Sequence, residues 1–170
     1  MESQPSLGLV TYMATIADLE AAGALLPHDP DLEEGEFPQR WVHCSPAFAV
    51  WQETTLAGEA ADDGRTISPY EQVEQLLYDY CIGRPMIYAR DRRLLDPVGF
   101  HTWELRTPDV RVFGWLPARR HFIAVSGEMK RRLKPSSKYT PSIQGVVAFR
   151  DALDLDAPKA LTGVATHDIC

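Results

Sequence analysis

Three short strand-like segments separated by tight turn signals, between His101 and Ser126, constrain this chain more than any other feature. Residues 101–107 (HTWELRT) alternate, with Trp103 and Leu105 on one side and Thr102, Glu104 and Arg106 on the other. That is the period-two signature of a strand with two different faces. Thr107-Pro108-Asp109 is a turn signal, and residues 110–116 (VRVFGWL) read as the next strand. Pro117-Ala118-Arg119-Arg120 turns the chain again into residues 121–126 (HFIAVS), which Gly127 breaks. Connections this short join antiparallel neighbours, so the sequence predicts a meander. Residues 86–89, ahead of the charged turn Arg90-Asp91-Arg92-Arg93, supply a fourth apolar segment, and residues 7–12 (LGLVTY) a further short strand.

Helix signals flank the meander. Ser68-Pro69-Tyr70-Glu71 is a capping box with proline at the first helical position. Tyr70, Val73, Leu77 and Tyr80 continue it as one apolar stripe, and Gly83 and Pro85 end it. Ser45-Pro46 opens another helix, Thr15 to Asp18 a third that Pro27 stops, and Thr140-Pro141 a last one with Ile143, Val146, Val147 and Leu153 inward. The expected fold is α+β: an antiparallel sheet of three to five strands, with helices packed on one face and the other face free to meet a partner. Residues 1–153 form one domain, an acidic helical part over 1–84 and a basic meander plus helix over 85–153. Residues 154–170 are expected to be a flexible tail.

Net charge narrows the function classes only once it is divided along the chain. The total is −7, which taken whole argues against nucleic acid. Residues 1–80 hold two basic and fifteen acidic side chains, a net of −13. Residues 81–140 hold thirteen and five, a net of +8, and residues 141–170 hold two and four, a net of −2. The meander therefore carries an electropositive surface suited to phosphates, or else one that the acidic half neutralises across the fold. The three cysteines (Cys44, Cys81, Cys170) are odd in number and follow no metal spacing, which predicts a reducing, cytoplasmic setting. No apolar run is long enough for a membrane helix, and the acidic, polar start does not resemble a secretory signal. His43 and Cys44 are adjacent without a second ligand pair, and no Walker or GxGxxG loop occurs, so no metal or cofactor is expected.

The segments WELRTPDVRVFGW (Trp103 to Trp115) and HFIAVSGEMKR (His121 to Arg131), with a helix through Phe149-Arg150-Asp151, resemble the RelE/HigB toxin superfamily. The nearest likeness is to its phage-derived, HigB-like branch, and it covers residues 85–153. The resemblance implies a RelE-like sheet, cleavage of mRNA (usually on the ribosome), and neutralisation by a helix-turn-helix antitoxin encoded alongside. It also implies that Arg106, Arg111 and Lys130 hold and cleave RNA. Two features depart from the family: a long acidic first half, and Ser126-Gly127-Glu128 interrupting the usual lysine-rich strand end. Glu34 to Ser45 (EGEFPQRWVHCS) is separately similar to a motif of an uncharacterised bacterial family.

Metal-free RNA cleavage needs a base for the 2′-hydroxyl, cations for the phosphorane charge and an acid for the leaving oxygen. Arg106 and Arg111 suit the charge role, because a guanidinium grips two phosphate oxygens and stays protonated. His121 and Glu104 are the candidate proton-transfer groups. Arg119, Arg120, Arg131, Arg132 and Lys134 would bind the backbone, and Tyr139 would stack on a base or pass a proton. Trp103, Phe113 and Trp115 could form a stacking platform, although Trp103 shares its parity with the core residue Leu105. The rival reading is a non-catalytic RelE-fold module that binds a protein or nucleic-acid partner. A toxin acting on DNA gyrase is a third. An acidic loop, at Asp31 to Glu36 or at Glu59 to Asp63, is expected to lie over the basic face.

Overall fold

The computed structural model describes residues 14–162. A six-stranded mixed sheet runs through its centre. Its strands are β1 (Leu26–Pro27), β2 (Trp41–Cys44), β3 (Arg92–Leu94), β4 (Trp103–Arg106), β5 (Val110–Ala118) and β6 (His121–Met129), in the order β1-β2-β6-β5-β4-β3. The meander is there as β4, β5 and β6, antiparallel throughout. The sheet is larger than expected and not wholly antiparallel, because β2 pairs parallel with β6, Trp41 opposite His121. A parallel pair needs a long crossover, and the 76 residues between Cys44 and His121 provide it. The 7–12 strand lies outside the described residues.

The helices are α1 (Ile16–Ala21), α2 (Pro46–Thr54), α3 (Pro69–Cys81) and α4 (Tyr139–Ala152). In α3 the capping box forms as read: the Glu71 amide donates to Ser68 Oγ at 3.2 Å, and the Ser68 amide donates to Glu71 Oε2 at 2.8 Å. Both sheet faces are covered, which corrects the expectation of one free face. Phe48 of α2 and Val73, Leu77 and Tyr80 of α3 pack on Val42, Leu105, Val112 and Phe122. Leu19 of α1 and Ile143 and Val146 of α4 pack on Phe113, Trp115, Ile123 and Val125 from the other side. Two cores explain why eight of the nine β5 residues are buried. Trp103, Phe113 and Trp115 are all core, so none is available as a stacking platform.

Two further differences have local causes. The charged run read as a turn holds edge strand β3, which pairs with β4 through Arg92 opposite Leu105 and Arg93 opposite Glu104. Arg92 is nonetheless buried, donating from Nε to the Met86 carbonyl at 3.2 Å and lying against the Trp103 ring, and Arg93 turns to Glu104. Residues 154–161 are packed where a flexible tail was expected. Leu155 is buried, the Lys159 carbonyl accepts from Trp115 Nε1 at 2.8 Å, and the Leu161 amide donates to the Leu116 carbonyl at 2.8 Å. Gly127 does not break β6, which runs on to Met129, and the Trp51 ring occupies the space a side chain at 127 would need.

Candidate functional site

Antiparallel register brings Arg106 and Arg111 together. Arg106 is the direct partner of Arg111, Glu104 of Phe113, and Arg93 of Glu104. Cross-strand partners share a face, so these groups meet on the side covered by α4. Glu104 is fully buried and lies among three guanidiniums: Arg93 Nε at 3.0 Å, Arg106 Nε at 3.5 Å and Arg111 Nε at 3.8 Å. Three cations around one carboxylate leave two positive charges in surplus. Tyr139, the first residue of α4, closes the group. Its ring meets Phe113 edge-on at 5.7 Å and lies under the Arg93 guanidinium at 5.8 Å.

The three arginines are not equivalent. Arg111 is only 3% exposed and donates from Nη1 to the carbonyls of Thr107 (2.6 Å) and Val110 (2.8 Å). Burial, and then Arg106 beside it, lowers its pKa from the ordinary arginine value, with Glu104 and Tyr139 opposing. Arg106 is partly exposed and donates to the Ala89 carbonyl. Arg93 is more open still and borders a cleft of about 510 Å³ with Tyr88, Leu94, Ser136, Tyr139 and Ile143. An anion entering this cleft meets Arg93, with Asp96 also in the wall, whereas Arg106 lines a separate cavity with Arg90 and Thr107. Arg111 and Glu104 hold the frame between them. Arg93 went unnoticed in the sequence because RDRR reads as a solvated turn.

The basic run after β6 lies at the same end of the sheet, and its two arginines are already paired. Arg131 donates to Glu59 Oε2 (2.5 Å) and Asp62 Oδ1 (2.6 Å). Arg132 pairs with Glu59 Oε1 (2.6 Å) and Glu128 Oε1 (3.3 Å). Lys130 and Lys134 line a pocket of about 260 Å³ with Asp62, Asp63 and Asp109. Of the two acidic loops, it is Glu59 to Asp63 that covers the basic run. The other is turned elsewhere, with Glu36 accepting from the Tyr78 hydroxyl on α3 at 2.5 Å. Asp109, read only as a turn residue, anchors this end. Fully buried, it accepts from Arg65, from Gln72 Nε2 (2.7 Å) and from the Asp62 amide (3.2 Å).

His121, Arg119 and Arg120 lie at the opposite end. Arg119 and Arg120 form the tip of the β5–β6 hairpin, and Ala118 pairs with His121. Glu128 is the partner of Arg111, seven residues from His121 and thus about 23 Å away along an extended strand. His121 therefore cannot exchange a proton with a group held by Arg106 and Arg111. Its neighbours are different ones: His43 at 3.0 Å, with Glu20 at 2.6 Å beyond it. Burial, and then His43, lowers the His121 pKa, with Glu20 opposing.

Cys44 and Cys81 are buried and unpaired, and burial is the main cause pushing their thiols up to about 12 and about 11. Among the described residues no group of three or more His, Cys, Asp or Glu side chains is placed to hold a metal, and no helix is long and apolar enough to cross a membrane. The chain matches no protein-family model, no curated protein and no solved structure.

Proposed function

We propose that this protein is a metal-independent endoribonuclease of the toxin type, cleaving mRNA at the Arg93–Arg106–Tyr139 rim. The observation that carries the reading is the direct pairing of Arg106 with Arg111, from the ELRT and VRVF segments, around the buried Glu104. Arg106 and Arg93 would grip the scissile phosphate, where charge builds in the transition state. Arg111 and Glu104 position them. Tyr139 at the rim is the group that can stack on a base or pass a proton, and Lys130 to Lys134 would track the backbone. A cytoplasmic helix-turn-helix antitoxin would mask the same surface. Arg106→Ala is expected to lower mRNA cleavage about 10²-fold, with the melting temperature little changed. Primer extension on host mRNA after induced expression measures it.

The second reading, a non-catalytic module binding a protein or nucleic-acid partner, is favoured by one observation. Arg111, through Nη1, and Arg131 and Arg132 are already engaged within the chain. Harmless, high-yield expression of the unaltered chain with intact host mRNA decides for this module and against the nuclease. For the nuclease, and equally for a module that binds nucleic acid, the 59–63 loop competes with RNA. The pair Glu59→Gln, Asp62→Asn should raise affinity for a single-stranded RNA in low salt and lose that advantage in high salt. Each exposed pair removed costs at most about 1 kcal/mol of stability. Fluorescence anisotropy across a salt series checks this, and equal affinities at every salt would show that the acids mask nothing.

A further inference from the structure

At the hairpin end, four side chains from three separate segments form a continuous polar chain. Glu20 of α1 contacts His43 Nδ1 at 2.6 Å, and His43 Nε2 contacts His121 Nδ1 at 3.0 Å. The two imidazoles lie within 7° of one plane with centres 5.3 Å apart. Rings so nearly parallel, and joined through their nitrogens, meet edge to edge. Trp41 then lies face-on against His121, 5.0 Å away at 16°. The backbone makes this possible because β2 and β6 are parallel and in register, Trp41 beside His121 and His43 beside Ile123.

The chain of contacts sets the tautomers. A carboxylate only accepts, so His43 Nδ1 carries a hydrogen toward Glu20. In the neutral ring His43 Nε2 is then an acceptor, and His121 must present its Nδ1 hydrogen to it. His121 Nε2 is left as an unprotonated lone pair, on the ring edge away from His43. His43 is 5% exposed and acts from within, whereas His121 is only half-buried and Trp41 is 41% exposed. Arg119 and Arg120 are exposed and enter no ion pair among the described residues. A carboxylate-backed imidazole and an open indole thus lie beside the hairpin tip that carries Arg119 and Arg120, the Trp41 amide donating to the Arg120 carbonyl at 2.7 Å.

We propose that Trp41, His121, Arg119 and Arg120, with His43 and Glu20 behind them, form a second site that binds a nucleoside monophosphate. The phosphate sits on the guanidiniums and on His121, and the base sits against the indole. When the dianion binds, His121 takes up a proton at Nε2 and donates it to a phosphate oxygen as a hydrogen bond. Glu20, through His43, offsets the new positive charge, and the indole face stabilises it further. The groups facing His121 in the free protein are His43 and Trp41 from β2, with Glu20 of α1 behind His43, while Arg119 and Arg120 precede it at the hairpin tip. Burial and His43 lower the His121 pKa in the free protein, so the ring starts neutral and it is the bound dianion that must raise that pKa for the proton to be taken up. The site is independent of the RNA reading at the arginine rim, because the two lie at opposite ends of β6.

Two-bond ¹H–¹⁵N spectra of the histidine rings test the proposal, with adenosine monophosphate, adenosine and inorganic phosphate as probes. The free protein should show His121 protonated at Nδ1 alone. Adenosine monophosphate should move the His121 and His43 signals and bring His121 to the doubly protonated form. It should bind roughly tenfold or more tightly than either fragment, and Arg119→Ala with Arg120→Ala should cost at least about tenfold. Trp41→Ala should abolish the preference over inorganic phosphate, while Trp41→Phe, which keeps the stack, retains it. Arg106→Ala should change none of this, so failure here and failure of the nuclease are separate results. An Nε2-protonated His121, no ring shift at millimolar nucleotide, or binding no tighter than phosphate alone overturns the site.

Discussion

Glu104→Gln should destabilise the protein by about 3–5 kcal/mol, the cost of removing one partner from a buried ion pair. Glutamine preserves the volume but not the charge. Three guanidiniums would then face one another with no carboxylate between them, and one of them, Arg111, is nearly sealed from water. The mutual repulsion cannot be relieved by rotating Arg111 outward, because its Nη1 is held by the Thr107 and Val110 carbonyls. Urea denaturation measures the loss. Glu104→Asp keeps the charge on a shorter stem and should recover part of it. A Glu104→Gln protein as stable as the parent would mean that the three arginines are separately solvated. The shared frame on which the nuclease reading depends would then not exist.

That cluster also shows how far the sequence could be read. Alternation in HTWELRT put Glu104 and Arg106 on one side and Leu105 on the other, and the register bears this out, because period-two patterning is local. The α3 capping box was legible for the same reason: donor and acceptor are three residues apart. Alternation says which residues share a face, however, not what covers it. The covered second face had a visible sign in the near-continuous apolar run VRVFGWL, typical of strands buried on both sides. Nothing comparable pointed to Glu20, His43 and His121, which come from three distant segments and meet only because β2 pairs with β6. Arg93 was hidden by its company, since an edge strand may carry charges that look like a turn. Charge alone left two acidic loops as candidates for covering the basic face. The 59–63 loop is the one that meets basic groups, and these are Arg131 and Arg132, beyond the end of β6 and not on the sheet face.

Gly114→Ala should destabilise the protein by about 3 kcal/mol or more, the top of the range for overpacking, and far more than the same change at Gly127. A Cβ on Gly114 would stand 1.9 Å from the Ile123 carbonyl oxygen and 2.7 Å from the Phe122 ring. The first of these is backbone of the neighbouring strand, so β6 itself must move. At Gly127 the obstacle is the Trp51 ring, at 2.3 Å, a side chain that can tilt away. The location adds to the cost. The β5–β6 pairing slips at this point, Phe113 facing Ser126 but Gly114 facing Ala124, so Val125 is an extra residue on β6. A bulge of this kind resets which side chains face which way. It lets Glu128 share a face with Arg111 while Ile123, farther along the same strand, shares one with Trp115. Forcing the strands apart at Gly114 therefore disturbs the inner packing of α4 and the geometry that joins the two ends of β6. Amide hydrogen exchange should show β5 and β6 losing protection together in Gly114→Ala. Gly127→Ala should open only the contact with α2. Equal effects from the two substitutions would mean that the close approach of the strands is not what requires a glycine at 114.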